Sequence, residues 1–412
     1  MIKDSIILLL GKTSLKIFLL AYSFIAALSL TKETFAEFQL IVGLLNIVIQ
    51  PSIIISLFIT YYGSISPKFM QKANLRFMMT NMNKVFFIGL ALFSLFFGLV
   101  GFAITNMLNI SSYIPLTIAS ITIFGAIGCN YYFGYFQALE NFRIISISYF
   151  LLGITTFFLA FIWYFLGGGL YSFLLIQTLS FFTVLSFLKI IADNTLKDDS
   201  EHKYVEKNKD QTEYLIVLAV ALISFFTFYN LDIFTARMVL TSENSSSYIR
   251  IGFIGKISFL VSSAIATVVF PKASKAFRAG ENSWHYFFKG FATFFLISIF
   301  SSTIIYLFSD SIFYTLFKEL EQNYEAILLI ILATGILQSI IYFIVSYKMA
   351  ENSIHSSLIM LLILVLQYTA MSMNHDSTES IAINSLIVSI IGVILLSIKI
   401  IAEQLRSKKN LA

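Results

Sequence analysis

An aspartate and a lysine stand where membrane helices are expected to be apolar. Asp232 lies in the run FTFYNLDIFTARMVL and Lys256 in YIRIGFIGKISFLVSSAIATVVF, joined by the polar turn TSENSSS. Each run is long enough to cross a bilayer, which takes about 20 residues. A charge at the centre of such a helix costs roughly 2.5–3.5 kcal/mol and usually faces a bundle interior or a wet cavity. Asp232 precedes Leu240 by eight residues and Lys256 follows Tyr248 by eight, which puts both roughly 12 Å below one surface. Asp232 then has two readings: a structural partner of Lys256, or a coupling carboxylate that binds a proton or cation. Arg237 and Arg250 sit near the outer helix ends, where they either snorkel outward or join the same interior. Lys12 and Lys16 stand one turn apart on the first apolar run. Lys12 is close enough to the inner surface to snorkel; Lys16 is near mid-membrane and is expected to face a cavity. Together Lys12, Lys16, Arg237, Arg250 and Lys256 outnumber Asp232, and a chamber with that excess attracts an anion.

Secondary polar candidates are Asn46 and Gln50, which with Pro51 interrupt the second run, and Asn130 and Tyr131 in the fourth. Proline removes a helical hydrogen bond and favours a kink. The cluster Asn130, Tyr131, Tyr132, Tyr135 and Gln137 reads first as an interfacial aromatic belt, and second as a surface on which sugars stack. Trp163 and Trp284 read as belt residues too.

The elements that must position these residues follow from composition. The chain has 412 residues, 58% hydrophobic and 12% charged, with a mean hydropathy of +0.86. Recurrent apolar runs of membrane-crossing length make it an all-α polytopic membrane protein. We count twelve spans, from Ile6–Leu30 and Phe38–Ser64 through Tyr248–Phe270 to Ser380–Ile401, with Pro271-Lys272 closing the eighth. The first run shows no small-residue cleavage site and is expected to be retained. Lys and Arg crowd one set of loops (Lys68, Lys84, Arg143, Lys197, Lys203, Lys207, Lys289, Lys348), whereas the opposite loops hold Lys32 and Lys318. That bias places both termini in the cytoplasm. The longest outward loop is Ser309–Glu325.

A polar stretch separates two six-helix halves, giving an N-terminal lobe 1–191, a cytoplasmic linker 192–213, a C-terminal lobe 214–402 and a tail 403–412. At a constant offset of 210 residues Leu30, Thr31 and Glu33 match Leu240, Thr241 and Glu243, and Phe38 matches Tyr248. The halves therefore read as a parallel repeat about an axis along the membrane normal. The single cysteine, Cys129, excludes a disulfide framework and a cysteine metal site. No nucleotide motif appears, the histidines are scattered, and no cofactor, metal or nucleic acid is expected. Energy is expected from a gradient, with H+ or Na+ as candidate coupling ions.

The stretches LTKETFAEFQLIVGLLNIVIQPSIIISLF (Leu30–Phe58) and FYNLDIFTARMVL to YIRIGFIGKISFLVSSAIATVVFPKASKAF (Phe228–Phe277) resemble the multidrug/oligosaccharidyl-lipid/polysaccharide exporter superfamily, and within it the flippases of O-antigen and capsule repeat units. The resemblance rests on Asp232, Tyr248, Lys256 and Pro271; Ala36-Glu37 departs from it, standing where relatives commonly have a glycine. It implies a MATE-like V-shaped pair of lobes around a cationic cavity in the bacterial inner membrane. The substrate would be a polyprenyl-diphosphate-linked oligosaccharide, with membrane lipids and polysaccharide polymerase machinery as further partners. Two alternatives remain: a cation-coupled multidrug exporter of the same superfamily, which favours an anionic cavity, and a membrane oligosaccharide polymerase or glycosyltransferase. The latter class needs a large outward loop with clustered catalytic residues, which this sequence lacks, so a non-enzyme is expected.

Overall fold

The computed structural model describes residues 2–65, 71–195, 210–278, 284–320, 324–350 and 354–409. Lys68, the middle of the linker 192–213 with Lys197, Lys203 and Lys207, and the last three residues of the tail lie outside them. The described residues are helical with no strand, as a chain of apolar runs must be where lipid supplies no backbone partners.

The chain forms two compact units, Met1–Leu215 and Ile216–Ala412. The first unit holds α1 (Ile2–Ser29), α2 (Lys32–Ile49), a 3-10 turn (Gln50–Ser52), α3 (Ile53–Ile65), α4 (Gln71–Met107), α5 (Ile114–Ala138), α6 (Phe142–Phe165) and α7 (Leu170–Thr195). The second holds most of α8 (Asp210–Val239), then α9 (Ser242–Arg278), α10 (Trp284–Leu307), α11 (Ser309–Phe317), α12 (Tyr324–Ala350), α13 (Ile354–Met373) and α14 (Thr378–Lys409).

In the first unit α5 is the central helix, packed by α3, α4 and α7, while α1 runs along α6. Small residues permit the close approach. A Cβ on Gly11 would lie 2.4 Å from Ser146 Oγ, and one on Gly134 would lie 2.6 Å from the Ser56 carbonyl oxygen. Without a hydrophobic force between helices in lipid, such backbone proximity is what drives association. In the second unit the main seam joins α9 to α12. There a Cβ on Gly255 would meet Ile331 at 2.6 Å, and Ser262 Oγ donates to Ser339 Oγ at 3.1 Å. The outer faces carry exposed apolar side chains, among them Val85, Leu92, Phe96 and Leu99 on α4 and Leu296 and Phe300 on α10. These are the surfaces a bilayer would solvate.

Eleven helices of the described residues are long and apolar enough to cross a membrane, and the chain is a multi-pass membrane protein. The expected eighth span, Tyr248–Phe270, runs within α9 past Ser263, beyond which its side chains are not among those described. Four expectations are revised. The hairpins are much tighter than the apolar runs indicate: α2 begins at Lys32 and α9 at Ser242, six residues before Phe38 and Tyr248. The α9 helix runs through Pro271 to Arg278, so the proline does not close it. The outward loop Ser309–Glu325 contains α11, and α14 continues to Lys409 through most of the expected tail.

The repeat is visible bond for bond at the hairpins. Leu30 N–H donates to the Ala26 carbonyl and Leu240 N–H to the Ala236 carbonyl, both at 3.0 Å. Phe35 N–H donates to the Thr31 carbonyl and Ser245 N–H to that of Thr241, both at 2.9 Å. The Thr31 and Thr241 hydroxyls accept from the Thr34 and Asn244 N–H groups at 3.4 and 3.3 Å, the N-cap arrangement that satisfies an orphan donor.

Candidate transport site

In the C-terminal unit, Asp232 on α8 and Lys256 on α9 are both buried and form an ion pair, with Lys256 Nζ 2.7 Å from Asp232 Oδ1. The ammonium also donates to the Tyr229 carbonyl at 2.8 Å and lies 4.7 Å from the centre of the Tyr229 ring. Tyr248 Oη donates to the other carboxylate oxygen, Asp232 Oδ2, at 3.3 Å. Because α9 starts at Ser242, Lys256 lies fourteen residues into its helix whereas Asp232 lies seven from the end of α8, so the lysine is the deeper of the two. Its side chain spans the difference by leaning toward the N terminus of its helix, the direction helical side chains take.

The two arginines are buried within the unit and do not snorkel. Arg250 donates from Nη2 to Glu319 Oε1 at 2.6 Å, and its guanidinium lies 4.7 Å from the Phe317 ring centre. One residue thus fixes both the end of α11 and the turn that follows it. Arg237 donates from Nη1 to Ser242 Oγ and Ser245 Oγ, each at 3.3 Å. These serines open α9, so the polar hairpin serves as the arginine's internal solvent. Glu319, invisible in the sequence reading, sits 69 positions from Arg250 in a polar loop.

In the N-terminal unit Lys12 and Lys16 lie on the continuous helix α1 and are half-buried. Lys12 Nζ lies 5.9 Å from the Tyr149 ring centre on α6. The second span breaks where expected: Gln50–Ser52 form a 3-10 turn around Pro51, and the Gln50 N–H donates to the Asn46 carbonyl. Asn130 on α5 reaches this break, its Nδ2 donating to Ser52 Oγ at 2.6 Å. Tyr131 does not join it. Tyr131, Tyr132 and Tyr135 are buried inside the bundle, and Tyr131 stacks on Phe86 at 4.3 Å, so the expected interfacial belt is a core cluster. Glu37, at the departure from the family pattern, is buried and accepts from the Ser111 N–H at 2.9 Å and the Ser111 hydroxyl at 2.8 Å. It ties α2 to the loop between α4 and α5, a place a glycine leaves unbound. Gln338 on α12 was also missed; it is buried and neither end of its amide has a partner among the described residues.

Among the described residues no group of three or more His, Cys, Asp or Glu is placed to hold a metal. What the arrangement offers is charge: two buried cations compensated by carboxylates in one unit, and two lysines one turn apart on a half-buried face in the other.

An all-helical membrane architecture with repeated hairpins is one that many secondary transporters use. No protein-family model matches the sequence, and no curated protein does. Solved structures do match. An inward-facing multidrug resistance MATE family transporter of the MOP superfamily is similar over 94% of this chain and 95% of that one, with a TM-score of 0.71 and 12% identity. A MOP superfamily transporter from Pyrococcus furiosus, described by the reverse polarity of its binding pocket, covers 97% and 95% with a TM-score of 0.63 and 14% identity. A mutant of the Vibrio cholerae MATE transporter VcmN covers 98% and 96% with a TM-score of 0.66 and 16% identity. The fold is therefore that of MATE-family transporters of the MOP superfamily.

Proposed function

We propose that the chain is a flippase that carries a polyprenyl-diphosphate-linked oligosaccharide, an O-antigen or capsule repeat unit, across the bacterial inner membrane by alternating access. The observation that carries this reading is the pair Lys12 and Lys16 on α1. Like charges one turn apart repel, and within a span each is costly; a diphosphate between them turns that cost into attraction. In the second unit Asp232 and Glu319 already pair with Lys256 and Arg250, whereas the two lysines of α1 share a half-buried helix. Asn46, Gln50 and Asn130, near the break in the second span, complete the candidate lining of the first unit, and Arg237 is a separate candidate in the second. The lobes 1–191 and 214–402 act as the two rocking bodies, with both termini cytoplasmic and the polymerase machinery downstream.

A second reading, a cation-coupled multidrug exporter, is favoured by the solved neighbours that are described as multidrug resistance MATE transporters. One pair of assays separates the two. Expressed in a strain lacking its own repeat-unit flippase, the chain restores surface polysaccharide and leaves drug susceptibility unchanged. Lower susceptibility to cationic drugs with no polysaccharide would overturn the flippase reading in favour of the exporter.

A further inference from the structure

The ammonium of Lys256 is held as a bound cation is held. It takes one carboxylate oxygen, Asp232 Oδ1 at 2.7 Å, one backbone carbonyl, Tyr229 at 2.8 Å, and one aromatic face, the Tyr229 ring at 4.7 Å. Three donors thus meet three electron-rich partners. The remaining carboxylate oxygen is occupied by the Tyr248 hydroxyl. A carboxylate and a carbonyl in a buried pocket are hard oxygen ligands of the kind that hard cations choose.

We propose that Lys256 is a tethered counter-cation. Its ammonium fills the position that Asp232 and the Tyr229 carbonyl would otherwise offer to a diffusible monovalent cation, so no Na+ binds at Asp232 in the native protein. Two consequences follow. The C-terminal unit takes no drive from a sodium gradient through this carboxylate. Removal of the lysine side chain converts the same atoms into a cation site, because Asp232 is left charged, buried and without its partner. Ion binding at Asp232 lies within one unit and is the same whether the transported substrate is a lipid-linked sugar or a drug.

Thermal unfolding of the purified full chain in nanodiscs tests it, with NaCl, ethylammonium chloride and N-methylglucamine chloride at equal ionic strength. The native protein is expected to melt at one temperature in all three salts. Lys256→Ala is expected to melt lower in N-methylglucamine and to recover by about 2–4 °C, saturably, in sodium or ethylammonium. Lys256→Ala combined with Asp232→Asn is expected to lose that response. If Lys256→Ala does not fold, Lys256→Gln, which keeps a donor and removes the charge, is read in the same way. The proposal is overturned if the native protein shows a saturable sodium shift that Asp232→Asn abolishes, or if the folded lysine variant ignores both cations.

Discussion

Lys256 Nζ and Asp232 Oδ1 meet at 2.7 Å although 24 positions separate them in sequence and both are buried. Breaking a buried pair from one side strands a charge and costs roughly 3–5 kcal/mol, whereas replacing both partners by apolar groups of similar volume is often neutral. Asp232→Ala and Lys256→Ala are therefore each expected to lower the unfolding midpoint clearly. The double change Asp232→Leu with Lys256→Met is expected to restore most of the loss. Differential scanning fluorimetry of the purified variants measures this; additive losses in the double variant would contradict it.

Arg250 and Glu319 form a pair of unequal partners. Glu319 is 53% exposed, against 2% for Arg250. Glu319→Gln is expected to cost under about 1 kcal/mol, since its pair is partly screened by solvent. Arg250→Ala also loses the contact with the Phe317 ring, a further ~0.5–2 kcal/mol. Protease protection of the segment 309–320 is the corresponding readout, with Arg250→Ala the more susceptible variant.

The two hairpins predict paired effects. Thr31→Ala and Thr241→Ala remove equivalent caps and are each expected to cost roughly 0.5–2 kcal/mol. Thermal unfolding of the two variants should give similar losses, because the bonds around both threonines repeat at the same offset. A large loss at one site and none at the other would mean that the hairpins are alike in shape only.

Packing along α1 and α6 predicts a contrast between glycines. Gly11→Val drives its side chain into Ser146, whose Oγ and Cα lie 2.4 and 2.7 Å from the new Cβ. Overpacking of that kind costs about 1–3 kcal/mol or more. Gly89→Ala meets nothing within 4 Å and is expected to be neutral or slightly stabilising, by up to ~1 kcal/mol, through the helix interior. Expression level and unfolding midpoint of the two variants read the difference.

Hydropathy reveals where helices cross lipid, and not where they begin. The sequence TSENSSS reads as a loop, yet six of its residues are the first turns of α9. They are helical because the Thr241 hydroxyl caps them and the hydroxyls of Ser245 and Ser247 return to the Ser242 and Glu243 carbonyls. The association of Asp232 with Lys256 was legible, since two opposite charges on adjoining spans have few other places to go. The partner of Arg250 was not: Glu319 lies in a polar loop whose path depends on α11, a helix too short to stand out from its surroundings. Tyr131, Tyr132 and Tyr135 misled because tyrosines near a helix end match a membrane interface in type and position. Only the packing of α3, α4 and α7 around α5 makes them core. The break at Pro51 was legible in full, because proline cannot donate to the helix ladder and serine, asparagine and glutamine surround it.

The most direct test of the proposed function is the initial rate at which proteoliposomes holding the purified chain translocate a polyprenyl-diphosphate-linked oligosaccharide. Loss of two charge-assisted contacts to a diphosphate, each worth about 1.5–3 kcal/mol, predicts a fall of about tenfold or more for Lys12→Gln with Lys16→Gln. The corresponding arginine variants are expected to retain most of the rate. An unchanged rate in the double glutamine variant, or no translocation by the native chain, would contradict the account.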